Sequence, residues 1–189
     1  MSPLLRLAGI AVLALFAAGG ARAAEVGGVK LDDKVSVGGR ELTLNGAGIR
    51  TKVFLRIYVV SLYLPQPAKD VAAVFAKAPR RIQMNMLRTL SADQVVEALL
   101  DTMRDNNTPA ELAAVKAQTD RLASLIRAFK EVKEKDIITL DFVDGGTQLG
   151  WNAKSYGTMP GEPFNQALTK IWLGNKPVQA DLKKILLGG

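Results

Sequence analysis

Residues 45–65 read NGAGIRTKVFLRIYVVSLYLP, and the fold turns on how this stretch is parsed. Val53 to Leu64 is rich in β-branched and aromatic residues, which suit a pleated surface. Both parities are largely apolar, so the segment reads as a central strand covered on both faces, with Arg56 as the exception. Pro65 and Pro67 stop it. Upstream, Leu42 and Leu44 alternate with polar neighbours and run into Asn45-Gly46, a turn signal. Gly46-Ala47-Gly48 contains a Gly-x-Gly, but no third glycine follows at dinucleotide-binding spacing and no helix follows the strand. These glycines therefore read as turn or close-approach positions. The expectation is a strand over 41–49, a short turn, and a second strand over 53–64.

Working outward, Val35 to Val37 and the Gly38-Gly39 turn make a hairpin with 41–49. Lys69 to Lys77 predicts a short helix, and Pro79 opens a strand over Arg80 to Leu87 in which Ile82, Met84 and Met86 alternate with polar residues. Ser91 predicts an N-cap for a helix from Ala92 to about Arg104. Thr108 caps, and Pro109 opens, a longer helix to about Phe129. Ile137 to Val143 and Thr147 to Asn152 flank the hairpin turn Asp144-Gly145-Gly146, and 154–159 reads as extended. Helices over Glu162 to Leu173 and Val178 to Leu187 close the chain. Hairpins rather than βαβ repeats dominate. The class is α+β, with a large, mainly antiparallel sheet carrying a layer of helices on one face.

Composition narrows the chemistry. The chain has 189 residues, 48% hydrophobic and 23% charged, with neither cysteine nor histidine. That excludes disulfides, thiolate nucleophiles, Ser-His-Asp and Cys-His-Asp triads and the usual Cys/His zinc sites. No Asp-rich loop is present to hold a hard cation, so neither a metal nor a cofactor is expected. The net charge of +7 comes from dispersed residues, with only doublets such as Arg80-Arg81 and Lys183-Lys184. No aromatic residues interleave with them, so no nucleic-acid partner is expected.

Residues 1–23 read as a secretory signal: Arg6, an apolar run over 7–18, the Gly19-Gly20 break and the small-x-small pattern Ala21-Arg22-Ala23. The apolar run is shorter than the ~20 residues a spanning helix needs. The expectation is a signal peptide followed by one domain over 24–189, exported to the periplasm or secreted, with no stable membrane span after signal removal.

Three residues carry the candidate chemistry. Arg50 sits at the junction of two apolar strands, either solvated at a hairpin tip or aimed into a sheet face to hold an anion. Tyr58 and Tyr63 both need a hydrogen-bond partner if their rings are buried. The two tyrosines have opposite parity, so in a regular strand at most one shares a cavity with Arg50. Met84, Met86 and Met103 either fill the core or line an adaptable pocket.

The Asn45–Pro65 stretch, with RIQMNMLRTLSADQVVEAL (81–99) and PFNQALTKIWLGNKPVQADLKKILLG (163–188), resembles the bacterial, exported branch of the chalcone isomerase-like family. The resemblance spans about Val26 to Gly188. It implies an open-faced β-sandwich with a ligand cleft between sheet and helices. It places Arg50 where the plant enzymes hold a phenolate oxyanion, Tyr58 where they have a ketone-polarising threonine, and about Val95 where they have a tyrosine acting through water. It also places Arg50 and Tyr63 at the 13-residue spacing of the arginine and tyrosine that hold a carboxylate in the family's fatty-acid binders. The implied function is binding of a fatty acid or similar amphipathic carboxylate without catalysis, with Arg50, Tyr63 and Tyr58 as ligand contacts. The alternative is an intramolecular lyase or isomerase acting on a phenolic or enone substrate, with Arg50 as the catalytic residue.

Overall fold

The computed structural model describes residues 24–76 and 79–189. Residues 1–23, expected to form a signal peptide, lie outside the described residues. A hairpin of β1 (Ala24–Val26) and β2 (Val29–Leu31) precedes β3 (Lys34–Val37), β4 (Arg40–Lys52) and β5 (Leu55–Leu64). Then follow α1 (Val71–Phe75), β6 (Arg80–Met86), β7 (Leu90–Ser91), α2 (Ala92–Asn106), α3 (Pro109–Ala114), α4 (Lys116–Ala128) and β8 (Glu131–Val132). The chain ends with β9 (Ile137–Val143), β10 (Gly146–Trp151), β11 (Lys154–Pro160), α5 (Glu162–Leu173) and α6 (Ala180–Leu186).

Seven strands form one antiparallel sheet in the order β11-β10-β9-β6-β5-β4-β3. Its inner face carries Val60, Leu62, Ile82, Met86, Leu140, Phe142 and Leu149, packed against apolar residues of α2, α4 and α5. This is the α+β architecture that the hairpins predicted. Ser91 and Thr108 form capping boxes with Gln94 and Glu111, which fixes where α2 and α3 begin. The two-residue ladder of β7 with β8 ties the start of α2 to the end of α4.

Three expectations need correction. The turn between the first two long strands is Val53-Phe54, at φ +48° and +64°, so β4 runs on through Arg50 to Lys52. Valine and phenylalanine are residues of strands, which hides the turn from a pattern reading. The helix expected over 109–129 is two helices. Val115 leaves helical backbone (φ −112°, ψ 12°) yet stays buried, so the apolar stripe crosses the break without interruption. Asn45-Gly46 is not a turn but a β-bulge inside β4, where the register shifts between Leu44 and Gly46.

That bulge sets the site. It leaves Leu44 opposite Tyr63 on the outer face and brings Gly46, Gly48 and Arg50 opposite Leu62, Val60 and Tyr58 on the inner face. A Cβ on Gly46 would lie 2.1 Å from the Ile185 carbonyl oxygen, and one on Gly48 would lie 2.7 Å from Leu182. The two glycines thus let α6 lie directly on the strand. The Asn45 side chain fastens this contact: its amide donates to the carbonyls of Ala68 (2.9 Å) and Leu186 (2.7 Å), and its oxygen accepts from the Ala68 amide (2.8 Å). Arg50, the next inward position, emerges at the N-terminal end of α6.

Candidate functional site

Between the inner face and the helices lies a cavity of about 660 Å³, within the usual range for small-molecule sites. Tyr58, Met84, Met86, Ile138 and Leu140 form its sheet wall; Val95, Leu99, Leu122, Ile126 and Trp172 are among its helical lining. The interior is aliphatic and aromatic. Charge is confined to a rim with Arg50, Lys52 and Arg88 on the sheet side, and Glu97 and Asp101 on α2.

Arg50 is partly buried and faces inward. Its Nη1 donates to the Thr51 carbonyl and, at 3.4 Å, to Gln179 Oε1. The same Gln179 oxygen accepts from the Thr51 amide at 2.9 Å, which holds the residue before α6 against the end of β4. Nε and Nη2 of Arg50 donate to nothing among the described residues, and no salt bridge among them involves Arg50. A guanidinium has five N–H donors in a planar fork, so most of its binding capacity is left over.

Tyr58 lies directly across the ladder from Arg50. Its hydroxyl accepts from Trp172 Nε1 at 3.3 Å and donates no hydrogen bond among the described residues, leaving its proton for another acceptor. Loss of water pushes the phenol's pKa up, while the Trp172 hydrogen bond and the Arg50 charge pull it the other way. The hydroxyl therefore remains a neutral donor at physiological pH.

Tyr63 does not join them. β5 pairs with β6 without interruption from Tyr58 to Tyr63, so the two rings leave opposite faces of the sheet. Tyr63 is fully buried in a separate small cluster with Val37 and Leu42. Among the described residues its hydroxyl and Ser61 Oγ have no hydrogen-bond partner, and burial raises the phenol's pKa. The structure thus corrects the expected Arg50–Tyr63 grip: thirteen residues of separation span a second register shift, between Arg50 and Thr51, and a tight turn, and Arg50 faces Tyr58 instead.

Of the methionines, Met84 and Met86 line the cavity and Met103 is core. Val95, near where the resemblance puts a tyrosine, also lines the cavity and offers no side-chain hydrogen bond. Sequence reasoning missed three contributors. Trp172 was visible only as part of the Ile-Trp-Leu-Gly close of α5. Gln179 precedes α6 and carries no local signal. Arg88, whose Nε is buried without a partner among the described residues, lines the cavity from the bend just after β6, beyond the reach of strand alternation.

An antiparallel sheet layered with helices over an apolar cavity that carries cationic and phenolic donors defines an α+β fold with an amphipathic cavity between its layers. The sequence profile of the chalcone isomerase-like family matches residues 23–188, and the chain belongs to that family. No curated protein matches it in sequence. Among solved structures, the fatty-acid binding protein AtFAP1 of Arabidopsis thaliana is similar, with a TM-score of 0.67 at 13% identity over 85% of this chain and 92% of that one. At that identity the likeness shows the fold.

Proposed function

We propose that the cavity binds a fatty acid or a similar amphipathic carboxylate, its head held by Arg50 and Tyr58 and its chain lying along Met84, Met86, Leu99 and Ile126. One observation carries this reading: an inward guanidinium with unspent donors stands beside a hydroxyl with an unspent proton, at the rim of an otherwise apolar cavity. A carboxylate accepts from both groups by charge-assisted and neutral hydrogen bonds. Burying ~10 methylenes at ~0.8 kcal/mol each supplies most of the gross affinity. The fold shared with a fatty-acid binding protein supports the same ligand class. We propose further that the protein acts outside the cytoplasm, supported by the signal-like pattern over residues 1–23.

Ring closure of a phenolic enone fits the site less well. Stabilising charge on a ketone needs donors aimed at it, and Val95 is apolar where the family resemblance puts a hydroxyl. Native mass spectrometry of the purified protein tests the binding reading. The expected result is a co-purifying fatty acid that Arg50→Ala loses. A wild-type protein that neither carries nor takes up palmitate, yet accelerates chalcone cyclisation above the spontaneous rate, would replace binding with catalysis.

A further inference from the structure

The turn joining β4 to β5 is built against ordinary preference. Tight hairpins with two residues at positive φ favour Asn-Gly or Asp-Gly, yet Val53 and Phe54 occupy these positions at φ +48° and +64°. A β-branched residue there is strained. The turn is also the most exposed apolar feature among the described residues. Val53 is 78%, Phe54 97% and Leu55 51% exposed, and the remaining large exposed hydrophobics are scattered singly at 36–39%. Neither local backbone preference nor burial explains these side chains.

Charge around the turn is one-sided. From Leu42 to Lys69 there is no acidic residue, while Arg50, Lys52, Arg56 and Lys69 are basic. Lys52 and Arg56 flank the apolar tip and are exposed. Arg56 Nη2 donates to the Gly27 carbonyl at 2.7 Å, which braces the hairpin against the β1–β2 turn. The acids of the cavity rim, Glu97 and Asp101, stand on the opposite lip, and Asp101 is paired with Arg104 at 3.0 Å. Lys52, Val53 and Leu55 form the sheet-side lip of the cavity. The apolar tip and Lys52 thus adjoin the cavity lip, while Arg56 braces the tip from outside the cavity lining. Among the described residues no helix is long and apolar enough to cross a membrane.

We propose that the Lys52–Arg56 turn docks the protein on an anionic lipid surface. Phe54, with Val53 and Leu55, enters the headgroup–acyl boundary, and Lys52 and Arg56 meet lipid phosphates. Docking sets the cavity entrance against the bilayer, so an acyl chain passes between membrane and cavity without crossing water. This last step rests on the fatty-acid reading; docking itself does not.

Co-sedimentation of the purified protein with vesicles tests docking. One set is phosphatidylcholine alone, and the other contains about a third phosphatidylglycerol, enough to give a negative surface potential. The protein is expected to pellet with the anionic vesicles and to release as salt rises from ~50 to ~500 mM. Phe54→Asn, which suits the backbone of the turn, is expected to weaken binding about tenfold or more while leaving the melting temperature unchanged or raised. Lys52→Gln is expected to weaken it roughly fivefold. Palmitate delivered from solution is expected to load Phe54→Asn as it loads wild type, whereas loading from donor vesicles slows. Equal pelleting of wild type and Phe54→Asn, or a wild type that stays in the supernatant with both vesicle types, would overturn docking. A wild type that pellets but holds no palmitate refutes the fatty-acid reading and leaves docking standing.

Discussion

Two arginines on the inner face of the same sheet have opposite surroundings. Arg80, at one end of β6, is 1% exposed. Its Nε and Nη2 donate to Thr169 Oγ1 (3.1 and 2.9 Å), Nη2 also reaches the Asn165 carbonyl (3.3 Å), and its guanidinium lies 4.6 Å from the Phe142 ring centroid. Thr169 in turn donates to the Asn165 carbonyl, and Thr147 donates to Asn165 Oδ1 at 2.6 Å. Burial lowers the Arg80 pKa to about 10, which still leaves it charged at neutral pH. At the opposite end Arg50 spends a single nitrogen, and Tyr58 keeps its proton. Both arginines face the helix layer. The difference lies in what the fold has left unspent: donors consumed internally fasten α5 to the sheet, and donors kept free mark a place for something else.

The comparison can be broken most sharply at the fastened end. Arg80→Ala removes a buried side chain and three hydrogen bonds, and is expected to cost about 2–4 kcal/mol, a fall in Tm of roughly 5–15 °C by calorimetry. The loss should occur with or without ligand. Arg50→Ala should show the reverse pattern. Its Tm without ligand is expected to stay close to wild type, while palmitate affinity measured by titration calorimetry falls ~10–150-fold, the equivalent of ~1.5–3 kcal/mol for a hydrogen bond to a charged group. If Arg50→Ala melts early and binds normally, the division between the two ends is wrong. Tyr58→Phe, which keeps the ring and loses one neutral hydrogen bond, should weaken palmitate by roughly three- to tenfold.

The smallest effect concerns α5 from its outer side. Glu111 is held down to about 2 by Lys170 and the Thr108 cap. Because its folded pKa lies below the unfolded one, its contribution is present above about pH 4.5 and is lost as pH falls towards 2. Both side chains of this pair are partly exposed, so the contribution is well under ~1 kcal/mol and salt-sensitive. Glu111→Gln should therefore flatten the acid limb of the stability curve slightly, whereas Arg80→Ala should displace the whole curve.

Much of the sheet was legible in the sequence because alternation survives folding. Ile82, Met84 and Met86 face inward as their spacing required, and Ser91 and Thr108 cap helices as their side chains allow. Of the two readings open for the glycines before Arg50, turn or close approach, the structure shows close approach, and the element that approaches has no local signal: Ile185 lies far along the chain. The site was legible in its cation and not in its full geometry. Parity alone showed that Tyr58 and Tyr63 must part. Choosing between them needed the Asn45 bulge and the Val53-Phe54 turn, and each contradicts its local signal, the first being a turn dipeptide inside a strand and the second a strand dipeptide forming a turn. Trp172 and Gln179 reach Arg50 and Tyr58 only through long-range packing, which carries no short-range pattern.

The seating of α6 on Gly46 and Gly48 has a practical corollary. Gln179, just ahead of that helix, is the shared acceptor that steadies both the Arg50 guanidinium and the Thr51 amide. A methyl group added at either glycine would pry the chain's C-terminal segment away, shifting Gln179 from the cation and Val178 from the cavity lining. On the proposed binding reading, affinity is thus adjustable from the seat of α6, and an engineer retuning ligand preference has a dial beside the cavity as well as in its lining.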